Sequence, residues 1–384
     1  MKIVFTGGGT GGHFYPIIAV SEAITAITQR ERLLPPKQYF LSPTPYDEHA
    51  LFQNGIVFIQ TPAGRLRRYR AFANITDMFF TLIGIGKSFF ILLKIYPDVV
   101  FSKGGFASVP TVLAAHLLRI PIVIHESDSK PGRANLLASR YATRIAIAFD
   151  SALPFFPKKV QDRIARTGIP VRDLLAKPLP EGAHQELGLD PTIPTVLILG
   201  GSSGSIRINE LVLSGLPDIV SFANVIHQTG KDNYDEVLAT STVILEKSPH
   251  KERYHAFPYL SLESMRKAAG ASTLVVSRAG ATAITEISLW QKPSILIPIP
   301  EEISHDQKTN AYAYARTGAA VVLEEGNMTP HLLMSEIRRL CLDTALASTM
   351  AGHSKEFANP GAAELIASEL LAIALSHEPV NTAS

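Results

Sequence analysis

Two Rossmann-like α/β domains in tandem are what this sequence predicts, and three observations predict them. Short apolar runs alternate with helix-like segments along most of the chain. A glycine cluster follows the first such run, and a second glycine-rich loop follows another run near residue 195. Between the two lies a proline-rich stretch, about 154 to 194, after which the pattern restarts. Strand–helix alternation calls for parallel sheets with right-handed crossovers, and the restart calls for two of them. A length of 384 residues agrees with two domains.

The elements follow in order. Ile3-Val4-Phe5 is a strand that stops at Gly7, and residues 16–27 have helical composition. Gln38 to Leu41 reads as the second strand, running into Ser42-Pro43. Asp98 to Phe101 meets Gly104-Gly105, and Val109 to Leu118 reads as the helix after it. Pro121 to Ile124 is a buried strand ending at His125-Glu126, and Ala142 to Ala148 is the next. After the proline-rich linker, Thr195 to Leu199 starts the second sheet and Gly200 to Ser205 is its first loop. Val225 to His227, Thr273 to Val276, Ser294 to Ile297 and Ala320 to Leu323 continue it, and residues 376–384 read as a frayed tail.

Composition narrows the function. Hydrophobic residues are 46% and charged residues 18%, enough for real cores and too apolar for disorder. A net charge of +2 gives no field for a nucleic-acid partner, and none is expected. One cysteine, Cys341, excludes a disulfide framework and a Cys-rich zinc site. The 12 histidines do not fall at ligand spacing, and neither Asp-x-Asp nor His-Glu-x-x-His occurs, so no metal and no cofactor are expected. The apolar run at the N-terminus is too short for a signal-peptide core.

Gly7-Gly8-Gly9-Thr10-Gly11-Gly12-His13 contains a Gly-x-Gly-x-x-Gly pattern after a strand. Glycines let a ligand approach the backbone, and the following helix N-terminus favours an anion. A dinucleotide site would also need an acidic residue ending the second strand, about 20 residues on, and none stands there. A tight structural turn remains the plainer alternative. Gly200 to Ser205 repeats the device, which suggests a ligand held in a cleft at the carboxyl ends of the strands. Arg278-Ala279-Gly280 leads from a strand into a helix with Glu286 about a turn inside, where a carboxylate can accept both hydroxyls of a ribose. Gln307 and Asn310 share a face if helical, and paired amides suit a sugar's hydroxyls. A solvated helix face is the alternative for both.

Arg65, Arg67, Arg68 and Arg70 form a basic knot ahead of Phe79, Phe80 and a very apolar segment to Leu93. Gly84, Gly86, Lys87 and Ser88 interrupt it, leaving it short of the roughly 20 residues of a membrane span. It is either buried core or a patch, with Arg67, Arg68, Phe79 and Phe80, that meets a bilayer.

Taken together, the loops resemble the MurG family. The resemblance rests on Gly-Gly-Thr-Gly-Gly-His at 8–13, Gly104-Gly105-Phe106, His125-Glu126, Gly168-Ile169-Pro170-Val171-Arg172, Gly200-Gly201-Ser202, Arg278 to Ala281, and Gln307 with Asn310, in the family's order. It implies an inverting transfer of N-acetylglucosamine from UDP-N-acetylglucosamine to undecaprenyl-diphosphate-linked muramyl-pentapeptide, in peptidoglycan synthesis, by a peripheral protein on the cytoplasmic membrane surface. It implies the GT-B fold: an acceptor- and membrane-side domain over 1–168, a UDP-sugar domain over 169–355, and a C-terminal helix within 356–375 returning to the first. By position, Arg172 and Ser202 would hold the donor diphosphate, with Ala281 and Thr282 at the same helix N-terminus. Glu286 would take the ribose, and Gln307 and Asn310 the sugar. Thr10, Gly11 and Gly12 would line the cleft from the other side, and the uracil segment falls near Phe257 to Leu262. The chain departs from the family pattern at Asp128, where an amide is usual, at Ser203 in place of glutamine, and at Ile169 in place of asparagine. Another UDP-sugar transferase or a UDP-sugar epimerase of the same fold is the competing reading.

Inversion needs one base to take the acceptor's proton. His13 is the first candidate, because an unperturbed pKa near 6.5 suits a base at neutral pH, and Glu126 is the competitor. His13 as a mere loop-orienting residue is the further alternative. The leaving diphosphate would be met by the helix N-terminus after Gly200 and by Arg172.

Overall fold

A computed structural model describes residues 1–64, 73–201, 204–304 and 306–376, with residues 73–75 described by backbone alone. It divides into two compact units, Met1–Arg172 with the chain from Pro360 onward, and Asp173–Asn359.

The first unit is a parallel sheet of seven strands: β1 Lys2–Thr6, β2 Lys37–Ser42, β3 Ile56–Gln60, β4 Val99–Ser102, β5 Ile122–Glu126, β6 Arg144–Ile147 and β7 Ile164–Arg166. Its helices are α1 Gly11–Arg30, α2 Glu48–Gln53, α3 Ala73–Ile95, α4 Val109–Leu117 and α5 Arg133–Ala138. Strand order is β3-β2-β1-β4-β5-β6-β7, so the direction of winding reverses between β1 and β4. Alternate strand residues feed opposite cores. Ile3, Phe5, Val99 and Phe101 pack with Phe14, Ile17 and Ile18 of α1. Val4, Val100, Ile122 and Ile124 pack with Leu92 of α3 and Val112 and Ala115 of α4. Burial on both faces is why these strands read as continuous apolar runs.

The second unit repeats the plan with six strands: β8 Thr195–Leu199, β9 Asn224–Gln228, β10 Tyr254–Phe257, β11 Leu274–Arg278, β12 Ser294–Ile297 and β13 Ala320–Val322, in the order β10-β9-β8-β11-β12-β13. Helices α6 Ala183–Glu186, α7 Ile206–Phe222, α8 Tyr234–Leu245, α9 Leu262–Ala271, α10 Ala281–Leu289, α11 Gln307–Ala315, α12 Pro330–Leu342 and α13 Thr344–Ser354 cover it. Val196 and Ile198 face α7 and α12, whereas Leu197 and Leu199 share a core with Ile284 of α10 and Tyr314 of α11. The last helix, α14 Ala362–Leu375, rejoins the first unit. Its Ile366, Leu370 and Leu371 enter the core beside α1, at about 1.5–3 kcal/mol per fully buried leucine. The exposed pairs Arg30–Glu364 (2.7 Å) and Arg144–Glu369 (2.9 Å) at its rim add little.

Several sequence expectations change. Helix α1 starts at Gly11 rather than Pro16, because Pro16 lies in the second turn and glycine does not bar an N-terminal start. The glycines at 84 and 86 do not break α3, which is one 23-residue helix. Its stretch Thr76–Ile95 is, by length and composition, long and apolar enough to cross a membrane, so the expectation that it falls short was wrong. The reading of α3 as buried core also fails: Phe79 is 63% and Phe90 70% exposed, with Met78, Phe80, Leu82, Ile83 and Leu93 also on the surface. Helical periodicity explains this. Gly84, Ser88 and Leu92, at i, i+4 and i+8, form the buried row, while the opposite arc is apolar with Lys87 and Lys94 at its edge. Because α3 is the crossover between β3 and β4 of one sheet, and Leu92 is fixed in the core, the helix lies along its unit.

Candidate active site

In open α/β sheets the winding reversal leaves a crevice at the carboxyl ends of the strands. In the first unit that position is flanked by the loops after β1 and β4. Gly9 has φ 93°, and a Cβ there would fall 3.1 Å from the Phe106 ring. Gly104 has φ 84°, and its Cβ would fall 2.7 Å from Asn135 Nδ2. A side chain at Gly104 would displace Asn135, and at both places the positive φ suits glycine, so the glycines serve close packing as well as approach to a ligand.

Thr10 is the exposed N-cap residue of α1, but its side chain does not cap the backbone. Its Oγ1 lies 2.8 Å from His13 Nδ1. With the proton on Nδ1 donating to Thr10, Nε2 keeps its lone pair, and Nε2 is 3.7 Å from where a Cβ on Gly105 would fall. Gly11 is buried, and Gly12 and His13 are half-buried. Burial, and then the nearby Lys103 ammonium, lower the His13 pKa to about 4, well under the ordinary value expected from the sequence.

Glu126 ends β5 and is buried. Its Oε1 accepts from Asp128 N (2.9 Å), and its Oε2 from Gly132 N (3.0 Å) and Asn135 Nδ2 (2.9 Å). Both oxygens are thus engaged in folding the loop into α5, a poor arrangement for a base compared with His13. Burial and the charge of Asp128 raise the Glu126 pKa to about 7, against the hydrogen bonds from Asp128 N and Asn135 and the charge of Lys103. His125 Nε2 donates to Gly168 O at 2.8 Å, which ties β5 to the chain after β7. Arg172 meets a carboxylate of its own unit. Its guanidinium, 16% exposed, is paired with Glu22 Oε1 of α1, through Nε at 2.8 Å and Nη2 at 2.7 Å.

The second unit has its own reversal, between β8 and β11. Arg278 organises it: Nη2 donates to Ser205 Oγ (2.7 Å), and Nη1 donates to Ile297 O (3.2 Å) and Glu325 Oε2 (2.5 Å). One largely buried guanidinium therefore joins the loop before α7, the end of β12 and the segment after β13. Gln228 does the same on the other side, with Nε2 to Gly201 O (3.2 Å) and Oε1 from Leu260 N (2.9 Å).

Helix α10 begins at Ala281 behind Gly280, with no side-chain cap. Ala281 is buried and Thr282 half-buried. Glu286, in the second turn, is half-buried, and burial alone raises its pKa to about 7. Gln307 opens α11, and its Oε1 accepts from Ile299 N at 3.1 Å, so one end of the amide holds the Pro298–Pro300 segment. Asn310 is fully buried one turn on. The structure thus gathers Thr10, Gly11, Gly12, His13, Glu126 and Asp128 at one crown, and Ala281, Thr282, Glu286, Gln307 and Asn310 at the other. Ser202, with Ser203, and Arg67 and Arg68, with Arg65 and Arg70, lie outside the described residues. Among the described residues no three His, Cys, Asp or Glu side chains are grouped to hold a metal ion. Sequence reasoning missed Lys103 and Arg278 as organisers. Their signal was a cation at the end of an apolar strand, immediately or almost immediately before glycine.

Comparison with known proteins completes this. Residues 3–147 match the glycosyltransferase family 28 N-terminal domain, and residues 195–366 its C-terminal domain. A UDP-N-acetylglucosamine–N-acetylmuramyl-(pentapeptide) pyrophosphoryl-undecaprenol N-acetylglucosamine transferase of Treponema denticola is 34% identical over 92% of this chain and 90% of its own. The crystal structure of Acinetobacter baumannii MurG superimposes with a TM-score of 0.73 at 25% identity, covering 97% of this chain and 99% of that one. A UDP-GlcNAc 2-epimerase from Neisseria meningitidis, bound to UDP-GlcNAc, shares the fold at a TM-score of 0.68, with 14% identity over 97% of this chain and 100% of its own. The fold alone would admit either chemistry, whereas the sequence match does not: this chain is a family 28 glycosyltransferase of the GT-B fold, with two Rossmann-like domains, and belongs to the UDP-N-acetylglucosamine–N-acetylmuramyl-(pentapeptide) pyrophosphoryl-undecaprenol N-acetylglucosamine transferase family.

Proposed function

We propose that this protein transfers N-acetylglucosamine from UDP-N-acetylglucosamine to a hydroxyl of the muramyl sugar of undecaprenyl-diphosphate-linked muramyl-pentapeptide. The observation that carries the chemistry is His13: an imidazole at a helix N-terminus, tied through Nδ1 to Thr10 and unprotonated at neutral pH. It takes the acceptor's proton as the hydroxyl attacks the anomeric carbon, and the bond to the UDP oxygen breaks with inversion. The second unit binds the donor. The uncapped N-terminus of α10, at Ala281 and Thr282, meets the diphosphate, and the buried carboxylate of Glu286 accepts the ribose hydroxyls. Gln307, with its Nε2 end, takes the sugar. Asn310, buried one turn on, Ser202 and Arg172 belong to the same proposed set by their place in the sequence, Arg172 with its Nε and Nη2 edge held by Glu22. Labelled UDP-N-acetylglucosamine, a lipid-linked muramyl-pentapeptide and EDTA test the reading together. Label in the lipid product supports it, and donor binding without transfer would overturn the acceptor.

The apolar arc of α3 supports docking on the cytoplasmic membrane surface as a peripheral protein. Lys87 and Lys94 at its edge suit anionic head groups, and the arginines at 67 and 68 adjoin it in sequence. Replacing Phe79 and Phe90 together by serine removes two aromatic anchors worth about 1.5–3 kcal/mol each when buried. Sedimentation with phosphatidylglycerol vesicles is then expected to show at least about a hundred-fold loss of binding by that sum, about 1.4 kcal/mol being ten-fold. Unchanged binding would remove α3 from the membrane face.

A further inference from the structure

Lys103 follows β4 directly and is 1% exposed. Its Cβ lies 3.1 Å from where a Cβ on Gly7 would fall, directly under the first glycine loop. Its Nζ donates to Ser127 Oγ. Ser127 stands between Glu126 and Asp128, and these two carboxylates attract the ammonium. His13, from α1, and His125, from β5, are the cationic-capable groups that it opposes. A buried ammonium is costly unless paired and hydrogen-bonded, so its retention here calls for a role. The departure at Asp128 also acquires a reason: a carboxylate stands where the family pattern has an amide, beside a cation that balances it.

We propose that Lys103 is a positioning residue of the transfer site, which pins the 126–128 segment beneath the first glycine loop. Its consequence for catalysis rests on the proposed transfer; the electrostatic coupling to His13 does not. A lysine serves because its single long stem crosses from β4 to Ser127 under a loop that has no side chains to displace.

The test uses the full chain with 13C-labelled histidine rings, the His13 signal being assigned by its loss in His13→Gln. Lys103→Met keeps the stem and removes the charge. It is expected to raise the His13 midpoint by about one pH unit, the lower end for a charge at close range. Because the 126–128 segment loses its tether to β4, the variant should also lower kcat/KM for the lipid acceptor about ten-fold or more, the scale on which misplaced groups in a site cost rate, with the UDP-N-acetylglucosamine dissociation constant unchanged. Lys103→Arg should keep the low midpoint. If Lys103→Met does not fold, Ser127→Ala carries the test: it removes the acceptor of the Lys103 Nζ hydrogen bond and should lower kcat/KM for the lipid acceptor with the donor constant unchanged, and unmoved acceptor constants there overturn the proposal. A folded Lys103→Met protein with an unmoved midpoint and unmoved acceptor constants overturns the proposal. Activity persisting in His13→Gln, with the midpoint shift present in Lys103→Met, would overturn the base assignment and leave Lys103 as the organiser of the loop.

Discussion

Alanine at His13 is expected to lower kcat by about 10²- to 10⁴-fold, the usual reach of a general base, while the dissociation constant for UDP-N-acetylglucosamine stays within about two-fold. The separation follows from the architecture. His13 belongs to the first unit, and the residues proposed to hold the donor, Arg172 apart, belong to the second. Packing gives little reason for an indirect effect, since His13 is half-buried and hydrogen-bonded to the exposed Thr10. Steady-state turnover with saturating donor, and calorimetric titration of the donor, separate the two quantities. Equal losses in both would show that His13 shapes the fold or the donor site instead. The pH profile gives a second check. A group whose pKa is lowered to about 4 is unprotonated from pH 5 upward, so the acid limb from His13 in the free enzyme lies below pH 5. A base so weak has little driving force at pH 7. Both substrates carry diphosphates, and an anion at close range raises a histidine pKa. The acid limb of kcat, which reports the loaded enzyme, is therefore expected at higher pH than that of kcat/KM for the acceptor.

The parts of the fold that were legible in the sequence are those where one physical requirement dominates. Strands buried on both faces must be apolar throughout, so β1, β4, β5, β8, β11 and β12 stand out. The strands that were missed are edge strands. β3 leaves Val57 half exposed, β7 is the three residues Ile164–Arg166, and β10, Tyr-His-Ala-Phe, is only partly buried along its length. An edge strand is stabilised by one neighbour and by tertiary context, and its composition does not separate it from a loop. For α3 the composition was read correctly and the burial was not. Hydrophobicity alone cannot distinguish a core helix from an exposed apolar one, but the small residues Gly84 and Ser88, four apart and followed by Leu92, mark the face that meets the sheet.

The candidate site was legible where the residue types are scarce and follow a strand: the glycine loops, His13, Glu126 and Glu286. Their environment was not legible. Nothing local in the chain announces that Glu126 receives three hydrogen bonds from the segment 128–135, or that Arg172 is held by Glu22, 150 residues away. Arg278 and Lys103 illustrate the same limit. Each is a single charge whose partners come from separate loops. Only the topology, which brings the carboxyl ends of the central strands together, turns them into organisers.

Glu286 offers the sharpest test, because binding and stability should move in opposite directions. Its carboxyl pKa is raised from an ordinary 4.5 to about 7 by burial alone. Below pH 4.5 the group is protonated both folded and unfolded and carries no penalty. Between 4.5 and 7 the folded protein binds the extra proton, so the contribution of Glu286 to stability falls as pH rises, and above 7 the full cost of a buried carboxylate is present. Glu286→Gln removes that cost. At pH 8 and without donor, the variant is expected to be more stable by roughly 1–3 kcal/mol, at 1.36 kcal/mol per pKa unit. That corresponds to a melting temperature several degrees higher in a unit of this size, with the gain vanishing near pH 4.5. The same change replaces charge-assisted hydrogen bonds to the ribose by neutral ones. Donor affinity should then fall about ten- to a hundred-fold, for the roughly 1.5–3 kcal/mol that such bonds contribute. Saturating UDP-N-acetylglucosamine should therefore narrow or reverse the melting-temperature order, since it stabilises only the form that binds it well. Melting curves at pH 4.5 and pH 8, each with and without donor, give all four values. A stability gain independent of pH would mean that the carboxylate is not the destabilising group. An unchanged donor constant would take Glu286 out of the binding site, leaving a buried acid whose cost no ligand offsets.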